Sequence, residues 1–125
     1  MKKVLFTLTI LLLGTALYAG GNVEVYYFHY TRRCATCEAV ETESIKALKQ
    51  LYAKEVQNGK VKFFSVNLDK KESKIPAKRC KADGQSLLVM SGNKRIDLTE
   101  EGFMYARSNP EKLKQAIKQA VDAVL

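Results

Sequence analysis

The chain has 125 residues, a formal net charge of +8, 46% apolar residues and no low-complexity tract. That allows one small domain with a short appended segment and excludes a two-domain enzyme. The basic excess is spread over isolated lysines rather than gathered in a block, so it supports a mild preference for acidic partners and no nucleic-acid partner.

Met1-Lys2-Lys3 gives a positive start, Val4 to Leu13 an apolar run, and Leu17-Tyr18-Ala19 ends in a small residue suited to cleavage. This is the pattern of a secretory signal peptide over residues 1–19. Gly14, Thr15 and Gly20-Gly21 cut the run short of the roughly 20 apolar residues that a bilayer span needs, so removal rather than anchoring is expected. Residues 20–125 are then expected as one soluble domain, periplasmic or secreted, with no membrane insertion. A chain of that length buries about 60 to 70% of its unfolded surface and holds a core without disulfide staples.

Val23 to Tyr30 is rich in β-branched and aromatic residues and predicts a buried strand. From Ala35 the apolar positions Cys37, Val40, Ile45, Leu48, Leu51, Tyr52 and Val56 recur at helical spacing, predicting one long helix ended by Asn58-Gly59. Lys60 to Leu68 predicts a second strand covered on both faces, which completes a βαβ unit. Glu72 to Ala82 is polar, and only a short helix starting near Pro76 is expected there. Ser86 to Met90 and Arg95 to Leu98 flank Gly92-Asn93 as an antiparallel hairpin. Thr99 to Arg107 reads as a connecting stretch with β character around Phe103-Met104-Tyr105. A final helix, capped by Ser108 or Asn109, carries the apolar stripe Leu113, Ala116, Ile117, Ala120, Val121 and Val124. The order β-α-β-(α)-β-β-α predicts an α/β fold, a mixed four-stranded sheet with helices on both faces.

The chemistry is carried by Cys34-Ala35-Thr36-Cys37, placed where the first strand passes into the first helix. Residues i and i+3 of a first helical turn lie about 5 to 6 Å apart, within disulfide range. Cys34 sits where unpaired N–H groups and the helix dipole favour an anion, so it is expected to be the more acidic, attacking thiol, with Cys37 the resolver. Arg32 and Arg33 add two cations before it. The bland alternatives are a structural disulfide capping the helix or chance spacing. Three cysteines are too few for a stapled miniprotein and leave one thiol over. That third thiol is Cys80, flanked by Lys78, Arg79 and Lys81, and it is either a half-buried free thiol or a neighbour of the pair. In the second case three thiolates would hold a soft metal or trivalent arsenic, although no metal ligand set is otherwise assigned. His29 is a satisfied core imidazole or a proton relay to Cys37. Tyr26, Tyr27, Tyr30, Met90 and Met104 are read as packing residues, and Asp69 as a loop residue. Paired acids and Ser/His/Asp arrangements are missing, which leaves hydrolase chemistry unsupported.

The strand-Cys34-Ala35-Thr36-Cys37-helix junction, Val66-Asn67-Leu68-Asp69, the Leu87 to Leu98 hairpin and the terminal helix together resemble the thioredoxin superfamily in a shortened form. The resemblance implies a thioredoxin-like fold with Cys34 exposed and Cys37 buried. It also implies thiol–disulfide exchange with a partner protein and no cofactor beyond the cysteine pair. The sequence departs from the family at three places. Arg33 stands where thioredoxins carry tryptophan, Phe28 where they carry a buried acid, and Gln85 at the cis-proline position. A cis bond before a non-proline residue costs about 3 kcal/mol, so a trans bond is expected at Gln85. Val25-Tyr26-Tyr27-Phe28-His29 followed by Arg33-Cys34-Ala35-Thr36-Cys37 also resembles the thioredoxin-like subunit of two-component nitrophenylarsonate reductase systems. That would imply electron delivery to a partner that reduces aromatic nitro groups. With no G-x-G-x-x-G and no phosphate loop, the chain has no motif for binding a flavin or nicotinamide by itself. A redox-inactive interaction module is the remaining alternative.

Overall fold

The structure is a computed structural model that describes residues 22–125. The signal-peptide expectation for residues 1–19 lies outside the described residues. In chain order the elements are β1 (Val23–His29), α1 (Ala35–Leu51), α2 (Ala53–Gln57), β2 (Val61–Asn67), α3 (Lys74–Cys80), β3 (Ser86–Ser91), β4 (Lys94–Asp97), α4 (Thr99–Tyr105) and α5 (Pro110–Val124). The strands form one sheet in the order β2-β1-β3-β4, with β1 and β2 parallel and both β1·β3 and β3·β4 antiparallel. This is the expected mixed four-stranded α/β sheet.

β1 is central and buried on both faces, and its alternation divides the core. Val23, Val25 and Tyr27 face one way, where Leu87, Val89, Val40, Leu48, Leu113, Ile117 and Val121 from β3, α1 and α5 complete a cluster. Tyr26 and Phe28 face the other way and pack with Leu88, Met90 and Cys80 beneath α3. Helices α1, α4 and α5 therefore cover one face and α3 the other. β2 is an edge strand, so the expectation that it is covered on both faces is corrected: Lys62 and Ser65 are exposed. The charged β4 closes the opposite edge, where exposed Lys94, Arg95 and Asp97 discourage pairing with another chain.

Local chemistry explains the other departures. The single long helix expected to reach Asn58 breaks at Tyr52, whose backbone leaves the helical region (φ −130°, ψ 42°). Its phenol donates to Asp122 Oδ1 on α5 at 2.7 Å. A 3-10 turn at Lys71–Ser73 leads into α3, which starts at Lys74, two residues before the expected start. Pro76 falls within the first turn, where its missing N–H costs no helical bond. The segment read as a connection with β character is the helix α4. Asp97 Oδ1 accepts from the Thr99 N–H at 2.9 Å and from its hydroxyl at 2.5 Å, and Glu100 and Glu101 suit the positive end of the first turn. In the hairpin only Gly92 takes positive φ (59°), the pattern of a II′ turn. Asn109 is the cap of α5, accepting from the Lys112 N–H, with Pro110 opening the helix.

Candidate functional site

The turn between β1 and α1 is held from the neighbouring strand end. The Thr31 N–H donates to Asp69 Oδ2 at 2.8 Å, and Asn67 Nδ2 donates to Thr31 Oγ1 at 3.0 Å. Asp69, read from sequence as a loop residue, thus fixes the segment that delivers Cys34. Its carboxyl is held below the usual range chiefly by that backbone bond and by further hydrogen bonding from Thr31.

Cys34 is the N-cap of α1. Its backbone is extended (φ −84°, ψ 170°) and its Sγ accepts from the Cys37 N–H at 3.1 Å, the position normally taken by a serine or aspartate oxygen. Cys34 is exposed, Cys37 is 5% exposed, and both are free thiols. The Cys34 thiol is drawn below its ordinary range first by a hydrogen bond from the Cys37 thiol, then by the Cys37 and Thr36 N–H groups. Cys37 is pushed up, first by burial and then by the same thiol contact. The arrangement leaves one accessible, ionisable sulfur and one sheltered, protonated sulfur a single turn away. Such a pair is suited to attack followed by resolution.

The cysteine turn lies at the sheet end where β1 and β2 finish and β3 begins, and the pair sits on the face that carries α1. The fold is thioredoxin-like. No family model matches the sequence, and no curated protein matches it. Among solved structures, one described as a malarial protein is 21% identical over 79% of this chain and 97% of that chain, with a TM-score of 0.49. A thioredoxin-2, described as a component of the malaria parasite protein secretion machinery, is 21% identical over 79% of this chain and 84% of its own, also at 0.49. The germline-specific thioredoxin Deadhead of Drosophila melanogaster is 20% identical over 79% of this chain and 81% of its own, at 0.49.

The residues expected around the pair divide into two groups. Arg32 is exposed. Arg33 turns to Glu41, with which it forms an ion pair, and its Nη2 lies 3.2 Å from His29 Nε2. An arginine can only donate, so Nε2 accepts and the ring proton lies on Nδ1, where it meets the Tyr30 carbonyl at 3.0 Å. Ser65 Oγ approaches the same Nε2 at 2.9 Å. Both nitrogens of His29 are therefore occupied, as in the core-imidazole alternative, and neither is bonded to Cys37.

The thioredoxin-like buried-acid position, Phe28, points away from the pair into the cluster beneath α3. Tyr27 and His29 are the β1 residues on the cysteine face, and their rings stack with centroids 5.6 Å apart. Tyr27 was missed as a site residue because its alternation with Val23 and Val25 reads as packing. Glu41 was missed because its partner Arg33 lies outside the helix, so no helical spacing relates the two.

Cys80 is fully buried among Tyr26, Phe28, Leu88 and Met90, on the sheet face opposite the pair. Burial pushes its thiol up. The expected half-exposed thiol is thus corrected to a core one, and the three cysteines do not converge. Among the described residues, no group of three His, Cys, Asp or Glu side chains is placed to hold a metal ion. Gln85 is exposed, and no described peptide bond is cis. The bend before Gln85 is made by Gly84, whose φ of 134° is a region L side chains avoid and whose carbonyl accepts from Ser86 Oγ at 2.9 Å. Since Ser86 pairs with Phe28, Gln85 stands at the same end of the sheet as the cysteine turn.

Proposed function

We propose that the protein is an exported thiol–disulfide oxidoreductase or electron-transfer protein working through Cys34 and Cys37. The observation that carries this reading is the Cys34 sulfur itself, exposed at the N-cap of α1 and bonded by the Cys37 N–H at 3.1 Å. A sulfur in that position gains as an anion, because the N–H groups and the dipole of α1 both favour negative charge. The Cys34 thiolate attacks a substrate disulfide, forming a mixed disulfide and releasing the first substrate thiolate. Cys37 then attacks Cys34, closing the intramolecular disulfide and releasing the second. Two electrons pass from the protein's sulfurs to the substrate, and the reverse sequence oxidises a dithiol.

The counterpart is a protein that supplies or receives the electron pair. The resemblance to the nitrophenylarsonate reductase subunit makes a partner that reduces nitroaryl compounds the first to test. Export follows from reading residues 1–19 as a signal peptide.

The reading is tested by the reduction potential of the purified chain. A reversible two-electron couple that is lost in Cys34→Ser and kept in Cys80→Ser supports exchange. A pair that stays reduced under any thiol/disulfide buffer overturns it and leaves an interaction module. Titration of the reduced protein with a trivalent arsenical separates the thiol-binding reading, which requires tight 1:1 binding that depends on Cys80.

A further inference from the structure

Resolution by Cys37 requires a buried thiol to ionise, and burial opposes that. An anion formed there needs a hydrogen-bond donor, and His29, whose alternative reading was a proton relay to Cys37, is already bonded through both nitrogens. A different group stands free. Tyr27 is fully buried on the central strand, on the face that carries α1. Its hydroxyl is buried and has no hydrogen-bond partner. Above it, Cys37, Val40, Glu41 and Ser44 recur at helical spacing along α1, so one stripe of the helix is turned to the sheet. The ring is held by its stack on His29, which is itself tied to Arg33.

We propose that the Tyr27 hydroxyl is the donor that meets the Cys37 thiolate as it forms, and thereby sets how fast a mixed disulfide on Cys34 is resolved; this rests on the exchange reading above. An unpartnered phenol buried against a helix is costly to keep, and a thiolate is a much stronger acceptor for it than a neutral thiol. The charges that bear on Tyr27 are consistent with that place: Cys37 first, then Arg33, Cys34 and Glu41. Burial and the Cys37 charge push the phenol well above its ordinary range, so it remains protonated and acts as donor, never as base. From its own strand the titratable neighbour is His29; its register partners on β2 and β3, Ser65 and Leu87, bring no charge.

In the step itself the Cys37 S–H loses its proton to solvent and its sulfur attacks Cys34 Sγ. The bond between Cys34 and the substrate sulfur breaks, and the departing substrate thiolate takes up a proton. Tyr27 keeps its own proton throughout and contributes only the hydrogen bond.

The test uses Tyr27→Phe in the full chain, loaded at Cys34 with 5-thio-2-nitrobenzoate so that resolution releases a coloured thiolate. Release should slow about three- to fourfold near neutral pH, since a pKa one unit higher leaves about a tenth of the thiolate but makes it about threefold more nucleophilic, and the pH profile should move about one unit to the alkaline side, as expected for losing one hydrogen bond to a charged group. Alkylation of Cys34 should keep its wild-type profile, and Ser44→Ala, which removes the other unpartnered hydroxyl on that stripe, should release normally. A Tyr27→Phe profile superimposable on wild type overturns the proposal. Should that variant not fold, 3-fluorotyrosine placed at position 27, a stronger donor of nearly the same shape, must speed release, and unchanged or slower release overturns the proposal equally. Release that continues at the wild-type rate in Cys37→Ser would instead overturn the exchange reading.

Discussion

Removing Arg33 separates two explanations for an acidic Cys34. By sequence, Arg33 is a cation adjacent to the thiol; in the structure its charge is met by Glu41 and the thiol is served by N–H and S–H donors at the start of α1. The Arg33 and Glu41 side chains are 24% and 20% exposed, between a surface pair and a buried one. An exposed pair contributes about 0.2 to 1 kcal/mol, while breaking a buried one by removing a single partner costs about 3 to 5 kcal/mol. Arg33→Gln should therefore cost about 2 kcal/mol, part of it from leaving Glu41 half-buried and unpaired. For a domain of this size that corresponds to a fall in melting temperature of about 8 to 10 °C. The double variant Arg33→Gln/Glu41→Gln should recover about 1 kcal/mol of this, since no orphan charge remains. Urea unfolding of the four species measures the cycle. In the same four, the pH dependence of Cys34 alkylation should be unchanged in the double variant, because the hydrogen bonds at the N-cap are untouched. A double variant whose alkylation midpoint moves to that of a free thiol, with stability intact, would refute the assignment of Cys34 acidity to the helix terminus.

Cys37→Ser should trap the mixed disulfide on Cys34, seen as a stable adduct by intact mass, whereas Cys34→Ser should form none; equal trapping by both would remove the distinction between attacker and resolver. Cys80 should resist alkylation in the native protein and react only on unfolding. Cys80→Ser should cost about 1 to 3 kcal/mol, by placing a hydroxyl among apolar side chains, without altering the reduction potential. The Asp122 carboxyl is held low first by Lys118 and then by the Tyr52 phenol, at 2.7 Å each. A carboxyl depressed in the folded state stabilises it above the ordinary carboxylate range and loses that contribution as pH falls through its folded value. The fall in urea midpoint from neutral pH to below the ordinary carboxylate range should accordingly be larger for wild type than for Asp122→Asn, and identical falls would exclude the linkage.

The parts legible in the sequence were those with a local signature. The buried central strand, the hairpin glycine, the proline-opened last helix and the pair at the strand-to-helix junction each announce themselves within a few residues, and local spacing is what fixes them. α4 was obscured because Phe103-Met104-Tyr105 favour a strand, while the carboxylate that meets its first N–H comes from Asp97, two residues before Thr99. The break at Tyr52 depends on a bond to Asp122, seventy residues on, which no window along the chain contains. The same limit governed the site. Cys34 could be read as acidic from its position, but the face on which each neighbour lies depends on the parity of β1, and a shift of one residue exchanges Tyr27 and His29 for Tyr26 and Phe28. That parity is why Phe28, the position singled out by resemblance, packs with Cys80, and why an ordinary-looking tyrosine lies on the face of the cysteine pair. A search for the acid missing from position 28 therefore looks on the wrong side of the sheet. Within β1 the residues that share the face of Cys37 are the odd-numbered ones, and Tyr27 is the one whose hydroxyl is buried there without a partner.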